Sequence, residues 1–284
     1  MGREFLQLPN VKKRDPQSHK GTYGHALIVG GSRGMTGAPA LSGMSAVYAG
    51  AGLVTVAIPE RCLETVAGFF PCYMTVPLAD DGQGRLGDTA EMQLLVLSQK
   101  ATSIGIGPGL TVNDSVKKSV DRLCSGFSGP MVIDADALNA ISETGQFPLA
   151  NGPRILTPHI GEFRRLLQRP ELSADECRQR AQAFARQHHV VLVLKGHRTL
   201  VTDGESVFLN ETGNPGMATG GSGDVLTGVI TGLLAQGYSD WDAATLGVHV
   251  HGLAGDLACR RYGEISLSAD RISAELAPAL MALQ

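Results

Sequence analysis

The sequence predicts an α/β protein: a single domain over residues 1–284 with a mostly parallel central sheet flanked by helices on both faces. Three observations carry that reading. Short apolar runs alternate with helical patterns along nearly the whole chain, the pattern of strand–helix units in a parallel sheet. The run Val190–Leu194 (VVLVL) is continuous and β-branched, as a strand covered on both faces should be. No linker, repeat, low-complexity tract or break in composition divides the 284 residues, and the length is compatible with one large domain.

The elements follow in order. Residues 1–20, with Lys12-Lys13-Arg14-Asp15-Pro16, read as an exposed arm. His25–Gly30 (HALIVG) is a short buried strand, and the small-residue stretch Ala38–Ala51 is a helix. Leu53–Ile58 (LVTVAI) is a strand that Pro59 stops. Thr102–Ile106 and Met131–Ile133 are strands around a helix from about Val112 to Cys124. Arg154–Thr157 leads into a helix starting near His159. Ser173–His189 is the clearest helix: Ser173 can cap it while Glu176 reaches back. Ala174, Cys177, Ala181 and Phe184 then recur at helical spacing, with Arg178, Arg180 and Arg186 on the wet side. Thr199–Thr202 and Ser206–Asn210 are short strands joined by Asp203-Gly204 as a hairpin turn. The last third reads as three helices, Asp224–Ala235, Trp241–Tyr262 and Leu267–Met281.

Composition narrows the function classes. Apolar residues make up 43% and charged residues 18%, so a core is available and disorder is excluded. The net charge of −3 argues against a dedicated nucleic-acid binder. Five scattered cysteines without a C-x-x-C pair give neither a zinc ribbon nor a redox motif; reduced thiols in a cytoplasmic protein are expected. The N-terminus shows no apolar signal region, and Leu6 sits where a myristoylation signal needs Ser or Thr. No apolar run approaches the ~18 residues of a membrane span. Asn113-Asp114-Ser115 and Asn210-Glu211-Thr212 match the glycosylation sequon, which has no meaning in the cytoplasm.

Glycine is the outlier, with 36 residues, and three clusters lie at strand ends. In parallel sheets ligands bind outside those ends. Gly30-Gly31-Ser32-Arg33-Gly34-Met35-Thr36-Gly37 resembles a dinucleotide fingerprint but lacks the G-x-G-x-x-G spacing; it reads as a tight turn or substrate rim. Gly105-Ile106-Gly107-Pro108-Gly109 reads equally as a turn or as backbone passing close to a ligand. The third cluster runs from Gly213 to Asp224 and feeds a helix. A glycine run at a helix N-terminus offers free N–H groups and the positive dipole end to an anion, phosphate above all. Asp224 in the first turn is readable as a dipole complement or as a base acting on an incoming hydroxyl.

Two more groups invite a metal reading. His249 and His251 lie two apart on a helix, point to different sides and cannot share one ion; His251 and Asp256 read as braces of helix packing. Asp134 and Asp136 follow a strand and can hold magnesium through water, or Asp134 can cap the next helix.

Thr219-Gly220-Gly221-Ser222-Gly223-Asp224 resembles the G-x-G-D anion hole of ribokinase-like kinases. Around it stand, in order, Ser18-His19-Lys20-Gly21, Gly30-Gly31-Ser32, Ala51-Gly52-Leu53-Val54, Gly105 to Gly109, Asp134-Ala135-Asp136-Ala137-Leu138-Asn139, Leu156-Thr157-Pro158-His159-Ile160-Gly161-Glu162-Phe163, Lys195-Gly196, Asn214-Pro215-Gly216-Met217 and His251-Gly252-Leu253-Ala254-Gly255-Asp256. Together these resemble the ADP/ATP-dependent NAD(P)H-hydrate dehydratase family, within the ribokinase-like superfamily, over nearly the whole chain. The resemblance implies the dehydratase half alone, without the N-terminal epimerase domain that many relatives carry.

That family repairs a damaged cofactor: it phosphorylates the hydroxyl of hydrated NADH or NADPH with ADP or ATP and Mg²⁺, then eliminates phosphate. The resemblance implies a lyase, a homotetramer and a separate epimerase partner. Asp224 is then the catalytic base, and Gly220, Gly221, Ser222 and Gly223 hold the transferring phosphoryl. Lys195, Gly196, His197, Arg198 and Thr199 match the adenine-nucleotide segment. Ala40, Gly107, His159 and Asp224 would contact the hydrate. Two rivals remain: a ribokinase-like small-molecule (vitamin-precursor) kinase, which would leave a stable phosphorylated product, and a non-catalytic nucleotide-binding regulator.

Overall fold

The strands pair into one sheet in the computed structural model, which describes residues 8–284. Its first seven strands are β1 (His25–Val29), β2 (Leu53–Pro59), β3 (Met74–Leu78), β4 (Ser103–Ile106), β5 (Met131–Ile133), β6 (Arg154–Leu156) and β7 (Val191–Leu194). All are parallel, in the order β3-β2-β1-β4-β5-β6-β7. The hairpin β8 (Leu200–Thr202) and β9 (Val207–Leu209) extends the far edge antiparallel. The order reverses between β1 and β4, and that switch point is where such sheets open a crevice.

Two layers of helices cover the sheet. One face carries α3 (Ala90–Ser98), α4 (Asp114–Gly126), α5 (Ala135–Thr144), α6 (Ile160–Leu166) and α7 (Ala174–His188). Leu94, Val120, Leu138, Phe163 and Phe184 pack there against Leu27, Ile104, Ile133 and Leu192. The other face carries α1 (Gly37–Tyr48), the short α2 (Leu63–Ala67), α8 (Ser222–Ala235), α9 (Asp240–Tyr262), α10 (Ala269–Ala274) and α11 (Leu276–Met281). Val229, Leu233, Leu246 and Ile272 pack there against Val132, Ile155 and Val193. Both faces of the central strands are therefore buried, which is why those strands read as unbroken apolar runs.

Small residues let α1 and α8 pack closely. A Cβ on Gly228 would stand 2.1 Å from the Ser42 carbonyl, and one on Gly232 2.7 Å from that of Ala46. The α7 capping box forms as expected, Glu176 N donating to Ser173 Oγ at 3.2 Å and Ser173 N to Glu176 Oε2 at 2.8 Å.

Three expectations change. β3 carries Pro77 and is largely exposed; it sits at the sheet edge, where a missing N–H costs no ladder bond. The single helix expected over 267–281 is two, because Pro278 has no N–H for the Ala274 carbonyl and its ring crowds that group. α10 accordingly ends at Ala274. The β8–β9 connection is a four-residue loop, folded by the Asp203 carboxylate accepting from the amides of Glu205 and Ser206. The N-terminal arm is exposed over residues 12–17, and two of its cations also tie it to the body. Lys12 Nζ donates to the Gly237 carbonyl at 3.0 Å, and Arg14 donates to that of Gly50 at 2.6 Å while stacking on Tyr23. Residues 1–7 of the expected arm lie outside the described residues. Among the described residues no helix is long and apolar enough to cross a membrane.

Candidate active site

The carboxyl edge of the sheet is shaped by the loop that feeds α8. Asp256 on α9 accepts from Gly213 N at 2.9 Å and from Asn214 Nδ2 at 2.9 Å. Gly252 and Gly255 leave a furrow for that loop: a Cβ on either would stand 2.2 Å from Thr212 Oγ1 or from Met217 Sδ. Asp256 thus seats the glycine loop, while His251 links α9 to Ser222 at the start of α8. The loop enters α8 through Gly221 at φ +90°, and no side chain caps the helix. A residue with a Cβ is disfavoured at that φ. The uncapped first turn points its amides outward, a ready anion site. From below, Ser42 Oγ donates to the Asp224 carbonyl at 2.8 Å and ties this turn to α1.

Beside that turn lies a cluster of charge. Asp134, 1% exposed, follows β5 and holds the N-cap position of α5 without capping it. Its Oδ1 accepts from Lys195 Nζ at 2.7 Å, and its Oδ2 accepts from Thr227 Oγ1 at 2.7 Å. Glu162 is 5% exposed and stands 3.9 Å from the same ammonium. It is placed by a capping box with His159: His159 N donates to Glu162 Oε2 at 2.8 Å, and Glu162 N donates to His159 Nδ1 at 3.2 Å. The Nδ1 that accepts leaves Nε2 as the protonated nitrogen of the neutral ring.

Among the described residues Lys195 is thus the ammonium set among the carboxylates of Asp134, Glu162 and Asp224. Burial pulls its pKa down, and Asp134 and Glu162 more than restore it, so it stays charged. Burial pushes the Glu162 carboxyl up. Asp224 is pushed up to about 7, first by burial, then by the charge of Asp134, with Lys195 opposing. A carboxylate titrating near neutrality is suited to take a proton from a hydroxyl.

A cavity of about 930 Å³ opens over this edge. His159, Lys195, Gly196, His197, Arg198, Thr199, Ser222 and Gly223 line it. Gly220 and Gly221 lie just before the helix, Gly220 exposed with open space around it. Arg178, expected on the wet side of α7, donates to the carbonyls of His197 and Arg198 and fixes the 195–199 segment. Gly107 adopts φ +130°, and a Cβ there would stand 1.8 Å from the Asp134 carbonyl. Ala40 is 6% exposed and packs in the core beside β1. Asp136 adds to the negative charge that raises Asp224, while its Oδ2 accepts from Thr111 N at 2.9 Å and its Oδ1 from Asn139 at 3.2 Å.

Sequence reasoning gave no role to Glu162, Thr227 or the cavity-facing ring of His251. Burial holds His251 down at about 4, so it is neutral, and its Nε2 shares a 3.3 Å hydrogen bond with Ser222 Oγ. Glu162 left a signal, since His-x-x-Glu before an apolar residue has capping-box spacing. Thr227 left none: its partner is 93 residues away.

A glycine-led, uncapped helix beside a near-neutral carboxylate stands at the carboxyl edge of a ribokinase-like fold: a ribokinase-like superfamily protein of Enterococcus faecalis V583 superposes with a TM-score of 0.83 at 28% identity, over 96% of this chain and 92% of that one. The fold is shared with phosphofructokinase-2 of Escherichia coli, at a TM-score of 0.56 and 18% identity. Residues 26–278 match the NAD(P)H-hydrate dehydratase family, and the chain belongs to that family. It is 38% identical over 282 residues to the ADP-dependent (S)-NAD(P)H-hydrate dehydratase of Neisseria meningitidis serogroup B, covering 96% of this chain and 90% of that one. It is 43% identical over 267 residues to a bifunctional NAD(P)H-hydrate repair enzyme of Moorella thermoacetica, covering 93% of this chain and 50% of that protein. The chain thus spans about half the length of the bifunctional relatives it matches. The crystallised ADP/ATP-dependent NAD(P)H-hydrate dehydratase of Bacillus subtilis superposes with a TM-score of 0.83 at 30% identity, over 97% of this chain and 95% of that one.

Proposed function

We propose that the protein is a hydro-lyase that restores NADH and NADPH from the S form of their hydrates, using ADP or ATP as phosphoryl donor. The observation that carries the reading is Asp224, a carboxylate titrating at about 7 in the uncapped first turn of α8. Family membership supplies the substrate class. The nucleotide would lie in the 930 Å³ cavity, over Lys195 to Thr199, with its terminal phosphate at Gly220 to Gly223. The hydrate would approach along Gly107 and His159, with Ala40 shaping the α1 wall behind.

Asp224 takes the proton of the ring hydroxyl as that oxygen attacks the terminal phosphorus, and the bond to the nucleotide's bridging oxygen breaks. The backbone amides of the first α8 turn stabilise the charge on the transferring group. Positioning and charge stabilisation are most of what phosphoryl transfer requires, so a site this sparse is sufficient. Electron release from the ring nitrogen then expels phosphate and leaves an iminium, and loss of a proton from the neighbouring ring carbon to the departing phosphate or to water restores the double bond of the dihydronicotinamide.

The donor set fits Mg²⁺: all-oxygen, hard and net negative, with one ammonium among three carboxylates. Asp134, Asp136 and Glu162 would hold it through water, since both oxygens of Asp134 already accept from Lys195 and Thr227 and both of Asp136 from Thr111 and Asn139. Bound there, it would offset phosphate charge. We further place the enzyme in the cytoplasm, as a homotetramer working beside a separate epimerase.

The test is direct. NADH hydrate, ADP and magnesium are incubated with the protein, and absorbance of the restored dihydronicotinamide and free phosphate are followed together. Recovery with equal phosphate release is expected. No recovery by folded protein refutes the reading, and a stable phosphorylated product without phosphate release makes it a kinase.

A further inference from the structure

Three loops leaving β1, β3 and β4 close on one another beside the switch point. Ser32, 1% exposed, donates to the Gly109 carbonyl at 2.9 Å and shares a 2.7 Å hydrogen bond with Thr111 Oγ1. Arg33 N donates to the Gly84 carbonyl at 2.8 Å. A Cβ on Gly84 would stand 2.7 Å from that of Arg33, so the 80–86 loop sits directly on it. Asp80 folds this loop by accepting from the amides of Gly82 and Gly84.

Between the loops opens a second cavity of about 370 Å³, lined by Ser32, Arg33, Gly82, Gln83, Arg85 and Thr111. Two guanidiniums and two hydroxyls face it, and no carboxylate is in its lining. Of the nearby acids, Asp80 pairs through Oδ1 with Arg61 at 3.2 Å, its buried Oδ2 lacking a partner among the described residues, and Asp81 pairs with the pocket's own Arg85 at 2.8 Å. Arg85 gives Nε to Asp81 and one outer nitrogen to Gln83 Oε1 at 3.4 Å, and among the described residues its other outer nitrogen keeps its donors. Among the described residues Arg33 has no carboxylate within ion-pair distance. A guanidinium pair held over hydroxyls matches phosphate.

This pocket adjoins the proposed hydrate path. Gly107 touches the Asp134 carbonyl, Gly109 touches that of Met35, and Thr111 completes the run. Four residues of backbone span at most ~14 Å, so a ligand with its ring at Asp224 and Gly107 can reach Thr111 with its next groups. Resting on the proposed function, those groups are the ribose and pyrophosphate of the dinucleotide and, in the NADPH form, a 2′-phosphate. We propose that Arg33 and Arg85, with Ser32 and Thr111, form a phosphate subsite for the hydrate, separate from the cavity that takes the nucleotide donor.

The decisive variant is Arg33→Ala, whose side chain is exposed and free of the loop's ion pairs. Its KM for hydrate is expected to rise about tenfold, with the loss on KM rather than on kcat and with KM for ADP unmoved. Arg85→Ala should act the same way, and Arg33→Lys should recover part. A rise with both hydrates assigns the pyrophosphate, and a rise with the NADPH form alone assigns the 2′-phosphate. Unchanged KM for both, or a rise confined to ADP, overturns the subsite. Calorimetric titration with NAD⁺ and NADP⁺ decides the matter without turnover: weaker binding by Arg33→Ala supports it. Equal binding, or no binding by either protein, overturns it. Absence of turnover in the unaltered protein would instead count against the proposed function.

Discussion

The two edges of the sheet both bury charge, and they treat it differently. At the amino edge Arg154 opens β6 at 1% exposure. Its guanidinium donates to the carbonyls of Gly129, Pro153, Cys124 and Phe127 at 2.6 to 2.9 Å. Two of those carbonyls belong to the end of α4, where the helix dipole is negative. The backbone solvates the cation in place of water. At the carboxyl edge Asp134 is equally buried, but it belongs to a cluster with one ammonium for three carboxylates, beside the positive end of α8 and open to a cavity. A charge surrounded by fitted dipoles holds the fold. A cluster left electrically unbalanced moves a pKa toward neutrality, which is what proton transfer needs.

The sharpest way to break this comparison is Asp224→Asn. The amide keeps the shape of the carboxylate and cannot accept the hydroxyl proton. We expect kcat to fall by roughly a thousandfold, within the ordinary range for a general base. Nucleotide affinity measured by titration should be little changed, because the α8 amides remain. Near-normal kcat would make Asp224 a dipole complement and nothing more.

Arg154→Met tests the other edge. It keeps the volume of the stem and takes the donor from the Gly129 and Phe127 carbonyls, while those of Cys124 and Pro153 keep the amides of Asn151 and Met131. A loss of about 3 kcal/mol in denaturant unfolding is expected, the scale for an uncompensated buried polar cluster. Activity per folded molecule should stay unchanged. A fall in kcat would show that the edges are coupled through β6.

These edges were unequally legible in the sequence. The parallel strands announce themselves because both faces are covered, and α7 announces itself through its cap. β3 (MTVPL) does not, because it is an exposed edge strand whose proline reads as a stop. Asp224 and the glycine loop were readable because the chemistry sits in contiguous residues. The Lys195–Asp134–Thr227 links were not, because they join residues 61 and 93 positions apart. Gly107 was evenly poised between turn and ligand contact. The structure supplies a packing reason that sequence could not, the Asp134 carbonyl pressed against it.

The smallest effect is the most specific, because it reads the cluster's electrostatics rather than its integrity. Asp224 must be ionised to act as a base, so kcat/KM should rise with pH through about 7 and level off above it. His251, held down at about 4, adds no second limb near neutrality. Asp134→Asn removes the negative charge that most raises Asp224 after burial, and it leaves the Lys195 charge to be shared by Glu162 and Asp224. Both changes favour the ionised form, so the limb should move to lower pH, by about one unit for a charge at this range. Partial unfolding would lower the amplitude of the profile and leave its midpoint in place. A limb that stays put or moves upward would mean that the imbalance at the carboxyl edge does not set the base.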